Sequence, residues 1–332
     1  MDQGELEGAL RTALAEAFPE SDGFVGLERL VGGASKETWS LDVLEGDGRR
    51  PLVLRRAPQG EGFTIGGLSL AGEAAVIEAV GAAGLPVPRV HFTTGEDSPL
   101  GPAFAMDRVT GVGDPVAIAR DSVLATARQE LAFQVGAVAA QMQAIDLASL
   151  PELAEHITVE RLYELYDERS QQSPVVELGL RWLGDNAPPP IAPVLCHGDY
   201  RNSNLIVGAE GLAGVIDWEF AHAGDPLEDL ALLCMAPWRF GRLDRTAGGF
   251  GTKAELFAGY SSVTGEPVDG ARFHHCQVLH TVRWCIGTMS ELRVYRDGDD
   301  PSLERGLVGR RLAETELDLL DLLEGIDPGG GA

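Results

Sequence analysis

The pattern of apolar residues changes near residue 110 of the 332-residue chain, and this change restricts the folds that the chain can adopt. Upstream, short apolar runs alternate with turn residues, as in Phe24 to Val31 and Pro51 to Pro58. Downstream, apolar residues recur mostly at helical spacing, and Asp121 to Asp146 is predicted to form one long helix. Strands and helices in separate halves indicate an α+β fold. We therefore predict a small β-rich lobe at 1–108 and a larger, mostly helical lobe at 109–332.

Three shorter patterns locate individual helices. Leucines recur every fourth residue from Leu6 to Leu14, which predicts a helix over 4–18. A second helix is predicted over 71–83, because Ser69 is a suitable N-cap residue in front of an apolar run. A third helix is predicted over 272–295, where it could line a pocket.

The composition excludes several classes of protein. The formal net charge is −25, so phosphate backbones and anionic membranes are repelled, and neither nucleic acid nor a membrane is an expected partner. No run of eighteen apolar residues suggests a transmembrane helix, and the acidic start lacks the pattern of a signal peptide. A cytoplasmic location is therefore expected, with the four scattered cysteines as free thiols. The oligomeric state is not indicated.

One polar loop lies between two β-like runs in the helical half. It reads His-Gly-Asp-Tyr-Arg-Asn-Ser-Asn at 197–204, and Ile-Asp-Trp follows at 216–218. Phosphoryl transfer needs a carboxylate near the attacking hydroxyl and oxygen ligands that hold Mg²⁺ against the phosphates. Asp199 and Asn204 in the loop, with Asp217 returned by a hairpin, would supply those groups. A capped turn is the plain alternative for the loop alone.

The Asp-x-x-x-x-Asn spacing resembles the catalytic loop of protein kinases. The motifs His-Gly-Asp and Ile-Asp-Trp are more similar to those of the aminoglycoside phosphotransferase and choline kinase superfamily. Within it, segments 32–39, 52–56 and 224–226 resemble the aminoglycoside-phosphotransferase-like group that includes the kinase domains of some acyl-CoA dehydrogenases. The likeness extends from about residue 24 to about residue 235. It implies a protein-kinase-like fold of two lobes.

The resemblance also implies roles for individual residues. Asp199 would be the catalytic base or would orient the acceptor hydroxyl. Asn204 and Asp217 would be ligands of Mg²⁺. His197 would brace the catalytic loop, and Asp229 corresponds to an acidic position that supports this loop.

The nucleotide site is expected in the β-rich lobe. Backbone N–H groups near Gly33 and Ser35 could approach the phosphates, although an ordinary hairpin turn is equally compatible with these residues. Arg55 stands where the family usually has a phosphate-contacting lysine, and Glu73 on the next helix is its expected partner. Solvated charges at a strand end are the alternative for both. The segment with Met106, Asp107 and Val109 would bind the base through its backbone, which leaves ATP and GTP undistinguished.

Two further groups of residues have open interpretations. Arg283, Trp284 and Glu291 on the third helix are candidates for contact with the acceptor, with core packing and surface charge as the alternatives. His280, with the neighbouring histidines and cysteine at 274–276, suggests a metal site. Adjacent histidines point in different directions on a helix, so we predict no metal site among these four residues.

The leading functional hypothesis is Mg²⁺-dependent transfer of the γ-phosphate of ATP or GTP to a small-molecule hydroxyl. The acceptor could be an aminoglycoside, another amino alcohol, a sugar or a hydroxyacyl thioester. A nucleotide-binding pseudokinase is the alternative, and the arginine at position 55 is its only support. A protein kinase is a third option, but the short spacing from Asp217 to Asp225-Pro226 leaves little room for an activation loop.

Overall fold

The computed structural model describes residues 3–30, 36–57, 67–168, 171–300 and 302–327. The predicted phosphate-loop residues Gly33 and Ser35 lie outside these ranges. The first part of the chain forms a five-stranded antiparallel sheet with the strand order β1-β2-β3-β5-β4. Its strands are β1 (Phe24–Arg29), β2 (Glu37–Glu45), β3 (Gly48–Arg56), β4 (Val90–Thr94) and β5 (Ala103–Asp107).

The rest of the chain is mostly helical, which confirms the predicted α+β class. The helices are α1 (Gln3–Ala17), α2 (Leu70–Ala82), α3 (Pro115–Arg120), α4 (Ala127–Met142), α5 (Val159–Asp167), α6 (Pro174–Asp185), α7 (Glu228–Leu233), α8 (Lys253–Thr264), α9 (Gly270–Asp297), α10 (Leu303–Gly309) and α11 (Leu312–Leu323). Four short strands accompany them: β6 (Val194–Cys196), β7 (Leu205–Gly208), β8 (Gly211–Val215) and β9 (His222–Gly224). None of the helices in the described ranges is long and apolar enough to span a membrane. The lobe boundary at 108/109 stays a prediction.

Strand β3 separates two cores. Leu52 and Leu54 point into a core that the sheet shares with α1, whereas Val53 packs against the main core with α2 and α4. Because side chains alternate along a strand, Arg55 lies on the same face as Val53, toward the helical part. Arg55 therefore faces the helical part of the chain, together with Val53.

The predicted helix boundaries are confirmed for α1, α2 and α9, within two residues at each end. The Ser69 hydroxyl caps α2 by accepting a hydrogen bond from the Gly72 N–H at 3.0 Å. The prediction of one helix over Asp121 to Asp146 is wrong. The Asp121 side chain accepts a hydrogen bond from the Val123 N–H at 2.9 Å, and its own backbone is extended. This turn ends α3 and delays the start of α4, because a short polar side chain competes with the helix for backbone donors.

Helices α4 and α8 pack unusually closely, because glycines face each other's backbone. A β-carbon at Gly136 of α4 would lie 2.0 Å from the Leu256 carbonyl oxygen, and one at Gly259 of α8 would lie 1.9 Å from the Phe133 carbonyl oxygen. Helix α4 also holds the active-site region, since its Val135 carbonyl accepts a hydrogen bond from the Tyr200 hydroxyl at 2.9 Å.

Gly136→Ala should lower the free energy of unfolding by about 1–3 kcal/mol or more, because the added methyl group collides with backbone that cannot rotate away. The matched control is Gly8→Ala on α1, where a β-carbon would meet nothing within 4 Å. Gly8→Ala should leave stability unchanged or raise it, by up to about 1 kcal/mol, through helix propensity. Urea denaturation of both variants measures this difference. Equal stabilities would show that the two helices can separate without cost.

Candidate active site

The loop at 197–204 follows β6 and is fixed by one buried carboxylate. Asp229, on α7, accepts hydrogen bonds from the His197 N–H at 2.7 Å and the Gly198 N–H at 3.0 Å. Gly198 has φ +79°, and a β-carbon there would lie 2.2 Å from the Phe220 carbonyl oxygen, so only glycine fits. Burial raises the pKa of Asp229, although the His197 ring and the two N–H groups act in the opposite direction. The carboxylate thereby fixes the backbone just before Asp199.

The His197 ring connects this loop to the segment after β8. Its Nε2 donates a hydrogen bond to the Ile216 carbonyl oxygen at 3.0 Å, and its Nδ1 accepts one from the Asp199 N–H at 3.2 Å. The Ile216 N–H in turn donates to the Asn204 carbonyl oxygen at 3.0 Å. These bonds bring the backbones that carry Asp199, Asn204 and Asp217 together, as the sequence predicted for these residues.

Asp199 is held by two neighbours in its own loop. The Arg201 Nε lies 2.8 Å and 3.0 Å from its two carboxylate oxygens. The Asn204 amide donates from Nδ2 to the Asp199 backbone oxygen and to its Oδ2, both at 2.8 Å. Because the NH₂ group of Asn204 is used in this way, its Oδ1 remains available to a cation.

Asp217 has a left-handed backbone conformation, with φ +68°. Its Oδ1 lies 2.6 Å from the Arg55 Nη1. Burial would raise the pKa of Asp217, but the Arg55 guanidinium outweighs this effect and holds the pKa below its usual range. Asp217 is therefore ionised at neutral pH, the state in which a carboxylate can bind a metal ion.

Arg55 joins the sheet to this site within a cluster of five charges. Its Nη1 also lies 2.7 Å from the Glu73 Oε1, so the structure brings the predicted pair together. The Lys36 Nζ lies 2.9 Å from the Glu73 Oε2 and 3.3 Å from the Glu219 Oε2. Burial, together with Asp217, raises the pKa of Glu219. Three carboxylates face two cations, which leaves one negative charge for a bound cation to offset.

Sequence reasoning missed Lys36. Its side chain is only 8% exposed, which is rare for a lysine that is not paired. The available signal was its position directly after the Gly-Gly-Ala-Ser segment, at the start of β2. Its partner Glu73 is 37 residues away, so only the folded structure reveals the contact.

The predicted base-binding segment lies at the end of β5. Met106 is buried on the cleft face, in the main core. The Asp107 N–H donates to the Arg89 carbonyl oxygen at 2.9 Å, and its carboxylate lies 2.6 Å from the His91 Nε2. Val109 borders Gly214 of β8, where a β-carbon would be 3.1 Å from the Val109 Cγ1. The Asp107 N–H and carboxylate are thus already engaged.

A cavity of about 330 Å³ opens beside Asp199. Its walls are mainly apolar and include Ile157, Leu162, Leu165, Phe220, Leu232, Met235, Trp238, Trp284 and Ile286. The Arg201 guanidinium lies 4.6 Å from the centre of the Trp238 ring. Arg283 also lines the cavity and makes no hydrogen bond or ion pair to any residue that the structure describes. Among the residues that the structure describes, Asp199 is the only carboxylate in the lining.

The three acceptor candidates on α9 therefore differ. Arg283 and Trp284 line the cavity, as the sequence suggested. Glu291 does not, because its carboxylate pairs with Arg305 of α10 at 2.6 Å. The surface-charge alternative describes Glu291 better.

Curated relatives share part of this chain. Acyl-CoA dehydrogenase family member 10 of Mus musculus is 29% identical over 264 residues, which are 73% of this chain and 24% of that protein. Acyl-CoA dehydrogenase family member 11 of Gallus gallus is 30% identical over 248 residues, which are 69% of this chain and 30% of that protein. The chain thus spans less than a third of the length of these relatives.

Solved structures share the fold. A Ralstonia eutropha protein assigned as an aminoglycoside phosphotransferase has a TM-score of 0.74 at 21% identity, with 96% of this chain and 98% of that chain covered. A thermostable mutant of another aminoglycoside phosphotransferase, solved with AMP-PNP and hygromycin B, has a TM-score of 0.62 at 17% identity, with 98% and 100% covered. These likenesses confirm the kinase-like fold.

The sequence pattern of the phosphotransferase enzyme family matches residues 26–265, more than half of the chain. The matched region contains the sheet, the 197–204 loop, the five-charge cluster and Asp229. The resemblance found from the sequence is thereby confirmed, and the chain belongs to the phosphotransferase enzyme family.

Proposed function

We propose that this protein transfers the γ-phosphate of ATP to a hydroxyl of a small molecule, in a reaction that needs Mg²⁺. One observation carries this proposal. Asp199 lines an acceptor-sized cavity, while its neighbour Asn204 is bonded through the Ile216 N–H to the segment with Asp217 and its cations. The acceptor and the phosphates would therefore bind on either side of one loop, which these hydrogen bonds hold in place.

Asp199 is the group that receives the acceptor proton. As the hydroxyl oxygen forms its bond to phosphorus, the bond from phosphorus to the leaving nucleoside diphosphate breaks, and the hydroxyl proton passes to the Asp199 carboxylate. Arg201, bonded to both oxygens of this carboxylate, keeps it oriented toward the cavity. His197 acts only through the backbone of the loop, as a positioning residue.

Arg55 and Lys36 bind the phosphates in this proposal. Each is now paired with carboxylates of Glu73, Asp217 or Glu219, so phosphate oxygens would take over part of these interactions. A guanidinium can bind two phosphate oxygens at once, and the lysine adds a compact second charge. Lys36 and Arg55 together would then do what the family's lysine at position 55 does. In this proposal the arginine at position 55 no longer argues for a pseudokinase.

The residues around Asp217 fit Mg²⁺. Asn204 Oδ1 and the Asp217 carboxylate are hard oxygen ligands, and the excess negative charge of the cluster favours a divalent cation. When bound, Mg²⁺ supplies charge neutralisation for the phosphate oxygens. The protein holds the two ligands in register through the bond from the Ile216 N–H to the Asn204 carbonyl.

We assign the base to the segment after β5. The Asp107 N–H is engaged by Arg89, so the Asp107 carbonyl and the Val109 N–H are the groups that would bind the base, with Met106 behind them. This makes 1–108 the nucleotide lobe and 109–332 the acceptor lobe. ATP is preferred over GTP because the relative solved with AMP-PNP binds an adenine nucleotide. Gly33 and Ser35 remain predicted phosphate contacts.

The cavity favours an acceptor with an apolar body and a negative or neutral polar group. Two arginines and many apolar side chains face one carboxylate, which must itself stay free to act as the base. A polycation would place its charges beside Arg201 and Arg283 without carboxylates to pair with. Among the acceptors compatible with the sequence, a hydroxyacyl compound fits this lining better than an aminoglycoside.

Asp199→Asn should reduce phosphate transfer by about 10²–10⁴-fold, because the amide cannot accept the proton. Its Mg²⁺–ATP binding should stay near normal, since Asp199 does not contact the five-charge cluster. Asp217→Ala should instead weaken Mg²⁺–ATP binding. Thermal-shift titrations with ATP, with and without Mg²⁺, separate the two effects. Near-normal turnover of Asp199→Asn would refute its assignment as the base.

Lys36→Met and Arg55→Met should each raise the KM for ATP by about 10–100-fold, as expected for loss of a hydrogen bond to a charged group. Arg181→Met is the control, because Arg181 lies on α6, away from the proposed nucleotide site, and is largely exposed. Steady-state kinetics with varied ATP give the comparison. If Lys36→Met left the KM unchanged, Lys36 would serve only as the partner of Glu73.

A screen of hydroxy acids, hydroxyacyl thioesters, amino alcohols and aminoglycosides by ADP release tests the acceptor class. Anionic acceptors should be used best, and Arg283→Met should raise their KM about 10-fold or more with little change in the KM for ATP. Arg181→Met, an exposed arginine of α6, is the matched control. Preference for aminoglycosides would contradict the proposed acceptor class while leaving the phosphotransferase proposal intact.

A further inference from the structure

Three metal-ligating side chains meet outside the active site, next to Asp229. The His156 Nε2 lies 3.0 Å from the Glu228 Oε1, and the His222 Nε2 lies 3.1 Å from the Glu228 Oε2. The ligand atoms of all three residues lie within 4.8 Å of one another. Zn²⁺ with bonds of about 2.0–2.2 Å and tetrahedral geometry needs ligand atoms about 3.3 Å apart. The two histidine nitrogens therefore flank the Glu228 carboxylate at close to this spacing, each beside a different oxygen.

The hydrogen bonds around the cluster orient its ligand atoms. The His222 Nδ1 donates to the Phe220 carbonyl oxygen at 2.9 Å, so in the neutral ring the lone pair is on Nε2, which faces Glu228. Metal-bound histidines commonly donate their other N–H to a carbonyl in this way. The Asp225 N–H donates to the Glu228 Oε1 at 2.8 Å and fixes the carboxylate.

A fourth imidazole is buried at the same place. His280 of α9 is 3% exposed, and neither of its ring nitrogens has a side-chain hydrogen-bond partner within the described part of the chain, although the ring lies near the Glu228 backbone. With His222, Glu228 and Arg283 it lines a cavity of about 60 Å³, and His280 and Arg283 also line the larger cavity beside Asp199. Buried imidazole nitrogens usually have a hydrogen-bond partner or bind a metal. His156, with 37% of its side chain exposed, leaves a path from solvent.

We propose that His156, His222 and Glu228 bind one Zn²⁺ ion, whose fourth position faces His280 and the adjoining cavity. Two imidazoles and one carboxylate select Zn²⁺ over Mg²⁺, which prefers oxygen ligands only. The sequence prediction of no metal site considered His280 with its neighbours at 274–276. The proposed ligands come instead from three other segments, which the fold brings together.

The ion would connect the segment before α5 to β9 and α7. Residue 154 already contacts this region, since the Ala154 N–H donates to the Ala221 carbonyl oxygen at 2.8 Å. Glu228 directly precedes Asp229, which holds the backbone of the catalytic loop. The site is therefore structural, and it stabilises the element on which the catalytic loop rests.

Calorimetric titration of the chelator-treated full chain with Zn²⁺, in the absence of nucleotide, tests this proposal. The wild-type protein should bind one equivalent, and His156→Gln should weaken binding by about 100-fold or more, because even outer partners of a metal site contribute about 10–100-fold. His274→Gln is the matched control, since His274 lies on α9 but outside the cluster and makes an edge-to-face contact with Trp182. Asp217→Asn should also bind Zn²⁺ normally, which separates this site from the proposed Mg²⁺ site.

A second measurement, of the melting temperature, shows whether a variant fails to bind Zn²⁺ because it folds poorly. Zn²⁺ should raise the Tm of the wild-type protein and of His274→Gln, but not that of His156→Gln, whose side chain is partly exposed and can be replaced without disturbing the core. Absence of stoichiometric binding to the wild-type protein would overturn the proposal. Unchanged affinity in His156→Gln would do the same and would leave the cluster as a histidine–glutamate ion pair.

Discussion

The buried carboxylate of Asp229 is the constraint on which the active site depends. It accepts the N–H groups of His197 and Gly198, and a carboxylate removed from water must keep such donors, because leaving it without them would cost several kcal/mol. With the backbone fixed at this point, the His197 ring reaches the Ile216 carbonyl, and the positions of Asp199 and Asp217 follow from one another. The catalytic geometry thus originates in a residue that contacts neither proposed substrate.

Arg55 has the corresponding role for the sheet. Its guanidinium extends from β3 to the Asp217 carboxylate, and a second ion pair with Glu73 fixes the orientation of the guanidinium. The cluster is internally paired, so a nucleotide bound as proposed would exchange these ion pairs for phosphate contacts. Such an exchange sacrifices some affinity but keeps buried charges compensated in both states. The low pKa of Asp217, maintained by the same guanidinium, means that no proton has to leave before a cation binds.

How much of the structure the sequence predicts depends on how far apart in the chain the interacting residues lie. The helical spacing of leucines located α1, and the Ser69 cap located the start of α2, because both are local effects. The break at Asp121 was missed since one side chain accepts a backbone donor that helical periodicity does not reveal. Lys36 was missed for a different reason: its partners Glu73 and Glu219 are distant in sequence. The spacing of Asp199, Asn204 and Asp217 could be interpreted because one loop and one hairpin carry all three.

Two adjacent carboxylates at the start of α7, Glu228 and Asp229, bind different partners. Successive side chains on a helix point about 100° apart, so Asp229 can reach the catalytic loop while Glu228 reaches His156 and His222. The helix is short, and no side chain caps its N-terminus. Its apolar residues pack in the main core, and the two carboxylates fix its first turn. Any loss of partners at Glu228 must therefore be felt at Asp229, one residue away. This linkage explains in physical terms how a cluster that touches no substrate can still set the geometry of Asp199.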